Sequence, residues 1–175
     1  MAEHFAVKKH YPTVLFELEM SREQICKRIL AMQSHVSSIK LRSGDLNERE
    51  WDDLVASAEA LSESSLIIDD TSSISLPELR TRCRRYKLEK NIQCVIIDYL
   101  QLMSASGRSN GSRESEISEI SRGLKGIARE LNIPVIALGQ LSRKPDDRPT
   151  NHRPVLSDLR DSGAIEQDAD IVMFI

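Results

Sequence analysis

Val95-Ile96-Ile97-Asp98-Tyr99-Leu100-Gln101-Leu102-Met103 is an apolar, partly β-branched run interrupted by one acid. A short run of this kind reads as a strand buried on both faces. The acid then falls at the strand's carboxyl end, the rim on which open α/β sheets place their ligands. An aspartate there can hold a magnesium ion, usually through water, against nucleotide phosphates. An aspartate that only caps a strand fits the same local pattern.

Working outward, strand patterns recur at residues 13–18, 65–68, 134–138 and 170–175, with helical patterns between them. The alternation predicts an α/β fold with a mostly parallel sheet flanked by helices on both faces. Ser21 and Gln24 have capping-box spacing ahead of Ile25, Ile29, Met32 and Val36. A second helix is predicted near Asn47 and Glu50, with Trp51, Leu54, Ala58 and Leu61 on one side. Ser75 and Glu78 repeat the capping spacing before Leu79, Cys83 and Tyr86. That helix also carries Arg80, Arg82, Arg84, Arg85 and Lys87, spread around its circumference as a solvated face is. Ile117, Ile120, Leu124, Ile127 and Leu131 mark a fourth helix over residues 114–131. Gly123 and Gly126 inside it each cost about 1 kcal/mol relative to Ala, which points to close packing against a neighbour.

At 175 residues the chain has the size of one domain, 1–175, and 40% hydrophobic with 29% charged residues is an ordinary globular composition. A net charge of −3 excludes a wholesale basic surface, so any nucleic-acid contact must come from local basic loops. No apolar run reaches the ~20 residues that span a bilayer, and the amino terminus lacks a secretory layout, so a cytoplasmic protein without membrane contact is expected. Cys26, Cys83 and Cys94 are odd in number and unpaired in spacing, which suits reduced thiols rather than a disulfide or zinc framework.

Residues 104–113 and 143–154 have no periodicity and are expected to be mobile. Both follow carboxyl ends of candidate strands and carry arginines, a placement that suits contact with a phosphate backbone as well as an ordinary surface loop. Glu17 and Glu19 bracket Leu18 at the end of the first strand and share a face if the strand continues that far. Glu19 lies at the strand-to-helix turn, where a carboxylate can polarise water for attack on phosphorus or simply favour the helix entry. Gln140 follows the strand at 134–138, where an amide can donate to a phosphate oxygen and accept from water.

Leu15-Phe16-Glu17-Leu18-Glu19-Met20-Ser21, the Val95 to Met103 run, Ala137-Leu138-Gly139-Gln140-Leu141-Ser142-Arg143 and the block from Leu156 to Asp170 together closely resemble the motor domain of bacterial replicative helicases of the DnaB family. The resemblance covers essentially the whole chain. It implies a RecA-like P-loop NTPase core with ATP and magnesium as cofactors. It also implies a homo-hexameric ring around single-stranded DNA that couples ATP hydrolysis to strand separation, with primase and a helicase loader as partners. Glu19 would be the catalytic glutamate that activates water, Asp98 the Walker B acid on the magnesium side, and Gln140 the group that contacts the γ-phosphate. Arg160, Asp161 and Gly163 match the loop region that contacts DNA, with Asp161 standing where the family carries Glu.

The chain departs from the family in one respect. Gly-x-x-x-x-Gly-Lys-Ser/Thr, whose amides and lysine cradle phosphates, occurs nowhere in it. The chain therefore reads as an internal fragment cut at both ends. It is expected to be inactive alone, to lack a strand inside its sheet and to be poorly soluble or partly ordered. A RecA-like recombinase or related ring ATPase would share Glu19, Asp98 and Gln140, but the Leu156 to Asp170 block disfavours it. A non-catalytic module docking to a helicase ring is a further alternative. The Ile67-Ile68-Asp69-Asp70 run resembles the acidic pair of a response-regulator receiver, yet a full strand-helix-helix unit precedes it and no lysine closes the last strands.

Overall fold

Parallel pairing of strands β1 (Thr13–Glu17), β2 (Leu66–Asp69), β3 (Cys94–Asp98) and β4 (Val135–Ala137) builds one sheet in the order β2-β1-β3-β4. The structure, a computed structural model, describes residues 1–105, 112–141, 153, 155 and 163–175. In register, Thr13 faces Leu66 on one side and Cys94 on the other, while Val95 faces Val135. Because all four strands run the same way, their carboxyl ends share one rim.

The two-residue period of the strands divides the core. Val14, Phe16, Val95 and Ile97 point to one face and pack with Leu79, Cys83, Ile120, Leu124 and Ile127. Those partners come from α4 (Leu76–Lys90) and α5 (Arg113–Leu131). Leu15, Cys94 and Ile96 point the other way onto Ile25 and Ile29 of α1 (Arg22–Gln33), with Leu61 of α3 (Glu48–Glu63) beside them. A short α2 (Ser38–Ser43) links α1 to α3, and a π-helical turn (His4–Lys8) precedes β1. Burying both faces explains why the central strands are apolar between their ends. No helix among the described residues is long and apolar enough to cross a membrane.

The helix starts follow the predicted chemistry. Ser21 with Gln24 and Asn47 with Glu50 form complete capping boxes. At α4 only half of the box forms, because Ser75 accepts from the Glu78 amide while the Glu78 carboxylate turns to Arg82 at 2.6 Å. Gly123 lies so close to Leu76 that an added Cβ would come within 2.2 Å of its Cδ2, and one at Gly126 would meet Arg80 at 3.3 Å. Gly123 thus permits the close approach of α4 and α5, whereas Gly126 meets only the tip of Arg80.

Five expectations need correction. Residues 170–175 form no strand, and Ile171, Met173 and Ile175 are exposed; an apolar alternation becomes a strand only where a neighbouring backbone completes the ladder. The anticipated gap inside the sheet is absent, since the four strands pair continuously. The first helix stops at Gln33, leaving Met32 exposed and burying Val36 beyond its end, while Trp51 on α3 is 57% exposed rather than core-facing. Finally, the ends of the expected mobile segment at 104–113 are fixed. Ser104 bridges Ser75, Ala105 is buried, and Arg113 opens α5. Residues 106–111, and most of 143–154, lie outside the described residues.

Candidate functional site on the carboxyl rim of the sheet

β1 ends at Glu17, and the chain bends there before Ser21 caps α1. The strand period therefore does not carry on to Glu19. Glu17 is buried and accepts a hydrogen bond from the Met20 amide at 3.2 Å, whereas Glu19 stands exposed on the bend. Asp98, the last residue of β3, pairs in register with Glu17, and its carbonyl accepts from the Leu18 amide at 2.9 Å.

These acids repel one another. Burial and the Asp98 charge push the Glu17 carboxyl above its ordinary value, although the Met20 and Glu19 amides partly offset the effect. Burial and the Glu19 charge likewise raise Asp98, with Arg28 of α1 opposing. The rim thus concentrates negative charge where β1 and β3 end.

Gln140 follows β4 on the same rim. Beyond the strand end the ladder continues, the Leu138 amide donating to Ile97 and the Leu100 amide to Leu138, both at 2.9 Å. The Gln101 side chain then holds the Gln140 main chain from both sides. Its Nε2 donates to the Gln140 carbonyl at 2.9 Å, and its Oε1 accepts from the Gln140 amide at 3.3 Å. The Gln140 side chain remains exposed at the rim.

Glu19, Asp98 and Gln140 are thus brought to one rim by three adjacent strands. Gly163 opens α6 (Gly163–Asp168), while Arg160 and Asp161 lie outside the described residues. Glu17 and Gln101 are rim residues to which sequence reasoning gave no role. The available signal for Gln101 was its polarity in the otherwise apolar run from Tyr99 to Met103.

The acids at the end of β2 have other work. Asp69, 5% exposed, accepts two bonds from Arg82 at 2.7 and 2.8 Å, two from the amide and hydroxyl of Thr71 and one from the Tyr86 hydroxyl. Burial acts to raise its carboxyl, but the bonds from Arg82, Thr71 and Tyr86 outweigh it and hold the group below its ordinary value. Asp70 accepts the Arg22 amide at 2.8 Å, at the start of α1. Both acids are committed to the scaffold, which removes the receiver reading. The arginines of α4 are also engaged: Arg80 and Arg84 with Glu130, and Arg85 over the Tyr86 ring. A cleft of about 520 Å³ between α1, α3 and β2, lined by Cys26, Leu30, Leu61 and Ile67 among others, lies away from the rim acids.

Residues 1–175 match the family described as DnaB-like helicase C terminal domain. The chain is 47% identical over all 175 residues to the replicative DNA helicase DnaC of Bacillus subtilis (strain 168), spanning 38% of that protein. It is 52% identical over 160 residues to the replicative DNA helicase DnaB of Rickettsia bellii, covering 91% of this chain and 32% of that protein. Among solved structures, one described as an ATPase domain superposes with a TM-score of 0.88 at 36% identity, covering 94% of this chain and 58% of that one. A DnaB-like replicative helicase described with its primase interactions gives 0.87 at 36% identity, covering 94% and 40%. The chain therefore spans under two fifths of the curated relatives' length, and it belongs to the DnaB-like helicase C-terminal domain family, with that family's RecA-like α/β fold.

Proposed function

We propose that this chain supplies the catalytic rim of an ATP-driven replicative DNA helicase motor, which works as a hexameric ring on single-stranded DNA alongside primase and a helicase loader. The observation that carries the reading is the convergence of Glu19, Asp98 and Gln140 on one rim, with Asp98 raised by burial and by the charge of Glu19.

Glu19, exposed on the bend after β1, accepts the proton of the water that attacks the terminal phosphorus. Gln140 offers an amide that donates to the γ-phosphate and is released when that group leaves. The donors at the ends of β1 and β3 are carboxylates, the hard oxygen ligands that magnesium prefers. No three potential ligands converge into a complete site among the described residues, which suits a cation held by Asp98 through water and by phosphate oxygens. When bound, magnesium would neutralise charge developing on the phosphates. Arg160, Asp161 and Gly163 contact DNA in this reading. The phosphate cradle is not encoded in residues 1–175, so this chain alone should show no ATP turnover.

The test is Glu19→Gln in a full-length helicase bearing this sequence as its motor segment. ATP turnover should fall by about 10²–10⁴-fold while nucleotide binding persists. Undiminished turnover would remove Glu19 from its role.

A further inference from the structure

We propose that Gln101 is the positioning residue for Gln140: its side-chain amide fixes the Gln140 main chain at both hydrogen-bonding groups and so sets where the Gln140 side chain points. The inference rests on the reading of Gln140 as the phosphate-contacting amide.

Gln140 lies three residues beyond the end of β4, where strand pairing alone no longer fixes it. A side chain that must report a single phosphate oxygen needs a main chain held to within a fraction of an ångström. The paired bonds from Gln101 meet that need, because a primary amide can donate and accept at once and so matches the N–H and C=O of one residue.

Gln101 is itself held firmly. It lies in the 3-10 turn Leu100–Leu102, closed by the Leu102 amide on Tyr99 at 3.0 Å, only three residues past Asp98. Its carbonyl accepts from Arg113 Nη2 at 2.5 Å, and Arg113 is paired with Glu116 on the first turns of α5. Glu116 in turn accepts the Ala105 amide at 3.2 Å. Gln140 is thereby referenced to the end of β3 and the start of α5, rather than to its own short strand.

Gln101→Met tests this, because it keeps side-chain length while removing both bonds. In a full-length helicase bearing this sequence, kcat for ATP should fall by roughly ten- to a hundred-fold with little change in KM for ATP or in Tm. Gln140→Ala should lower kcat at least as far, and the double variant should match Gln140→Ala, since Gln101 then has no side chain left to position. Unchanged kcat in Gln101→Met beside a defective Gln140→Ala would overturn the proposal and leave the reading of Gln140 intact. Multiplying defects would overturn it by showing that Gln101 acts separately. A fully active Gln140→Ala would remove the reading itself and the proposal with it. Hydrogen exchange at the Gln140 amide in the 175-residue chain gives a readout apart from turnover. Protection should disappear in Gln101→Met; protection equal to that of the unsubstituted chain would overturn the clamp.

Discussion

Glu17 and Asp98 face each other across β1 and β3, and each carboxyl is pushed above its ordinary range. Close apposition of acids at the end of a buried strand pair works against the fold, and it involves Asp98, the residue proposed to hold the cation. Local destabilisation at a functional rim is a familiar cost of function.

The first prediction follows from the sign of these shifts. A carboxyl whose folded pKa is raised favours the folded state when protonated, so its penalty is full above the folded pKa and disappears below the ordinary values of 4.5 and 3.8. Asp98→Asn should therefore raise Tm at pH 7 by roughly 1–3 °C, the screened value of one relieved charge. The advantage should shrink as pH approaches 4. Thermal melts of both proteins across that range provide the check, and a constant difference would contradict it.

Asp69 behaves in the opposite sense. Its folded pKa is depressed below 3.8, so its stabilisation is present above that value and is lost as pH falls through the folded one. Asp69→Ala removes the acceptor of the Tyr86 hydroxyl and leaves Arg82 to Glu78 and Thr71 alone, and should cost about 2–3 kcal/mol in urea unfolding at pH 7. Asp70→Ala removes one bond at the start of α1 and should cost only about 1 kcal/mol. Similar losses at the two positions would contradict the assigned contacts.

The two helix glycines should respond differently to alanine. At Gly126 the new methyl meets only the end of Arg80, so the gain in helix propensity should stabilise the protein by about 0.5–1 kcal/mol. At Gly123 the methyl collides with Leu76, and overpacking should exceed the propensity gain, leaving a net loss of roughly 1 kcal/mol. Chemical denaturation of the two single variants would show opposite shifts in midpoint.

Much of this architecture was legible because it is written in local chemistry. The run at β3 ended where its strand ends, at Asp98, since β-branched residues stop abruptly at an acid, and Ser21 and Asn47 announced their helices by capping. Glu19, Asp98 and Gln140 could be picked out as polar residues following apolar strands. What sequence could not convey was strand order, and with it the identity of neighbours. That Asp98 faces Glu17 depends on β3 adjoining β1, and the Gln101 clamp joins residues 39 positions apart. The pair Asp69-Asp70 looked chemical because its partners, Arg82 and the Arg22 amide, lie 13 and 48 positions away. The strand expected at 170–175 failed for the same reason, since alternation within a segment does not reveal whether a neighbour exists.

The arginine locked onto Asp69 has an effect beyond its own corner. By cancelling the acid at the end of β2, it leaves the electric field of the rim leaning toward β1 and β3, where Glu17, Glu19 and Asp98 are offset only in part. Under the proposed function, a cation arriving from bulk solvent would be drawn to that side of the sheet, and added salt, by screening the pull over roughly 10 Å, should slow its capture without altering the shape of the protein.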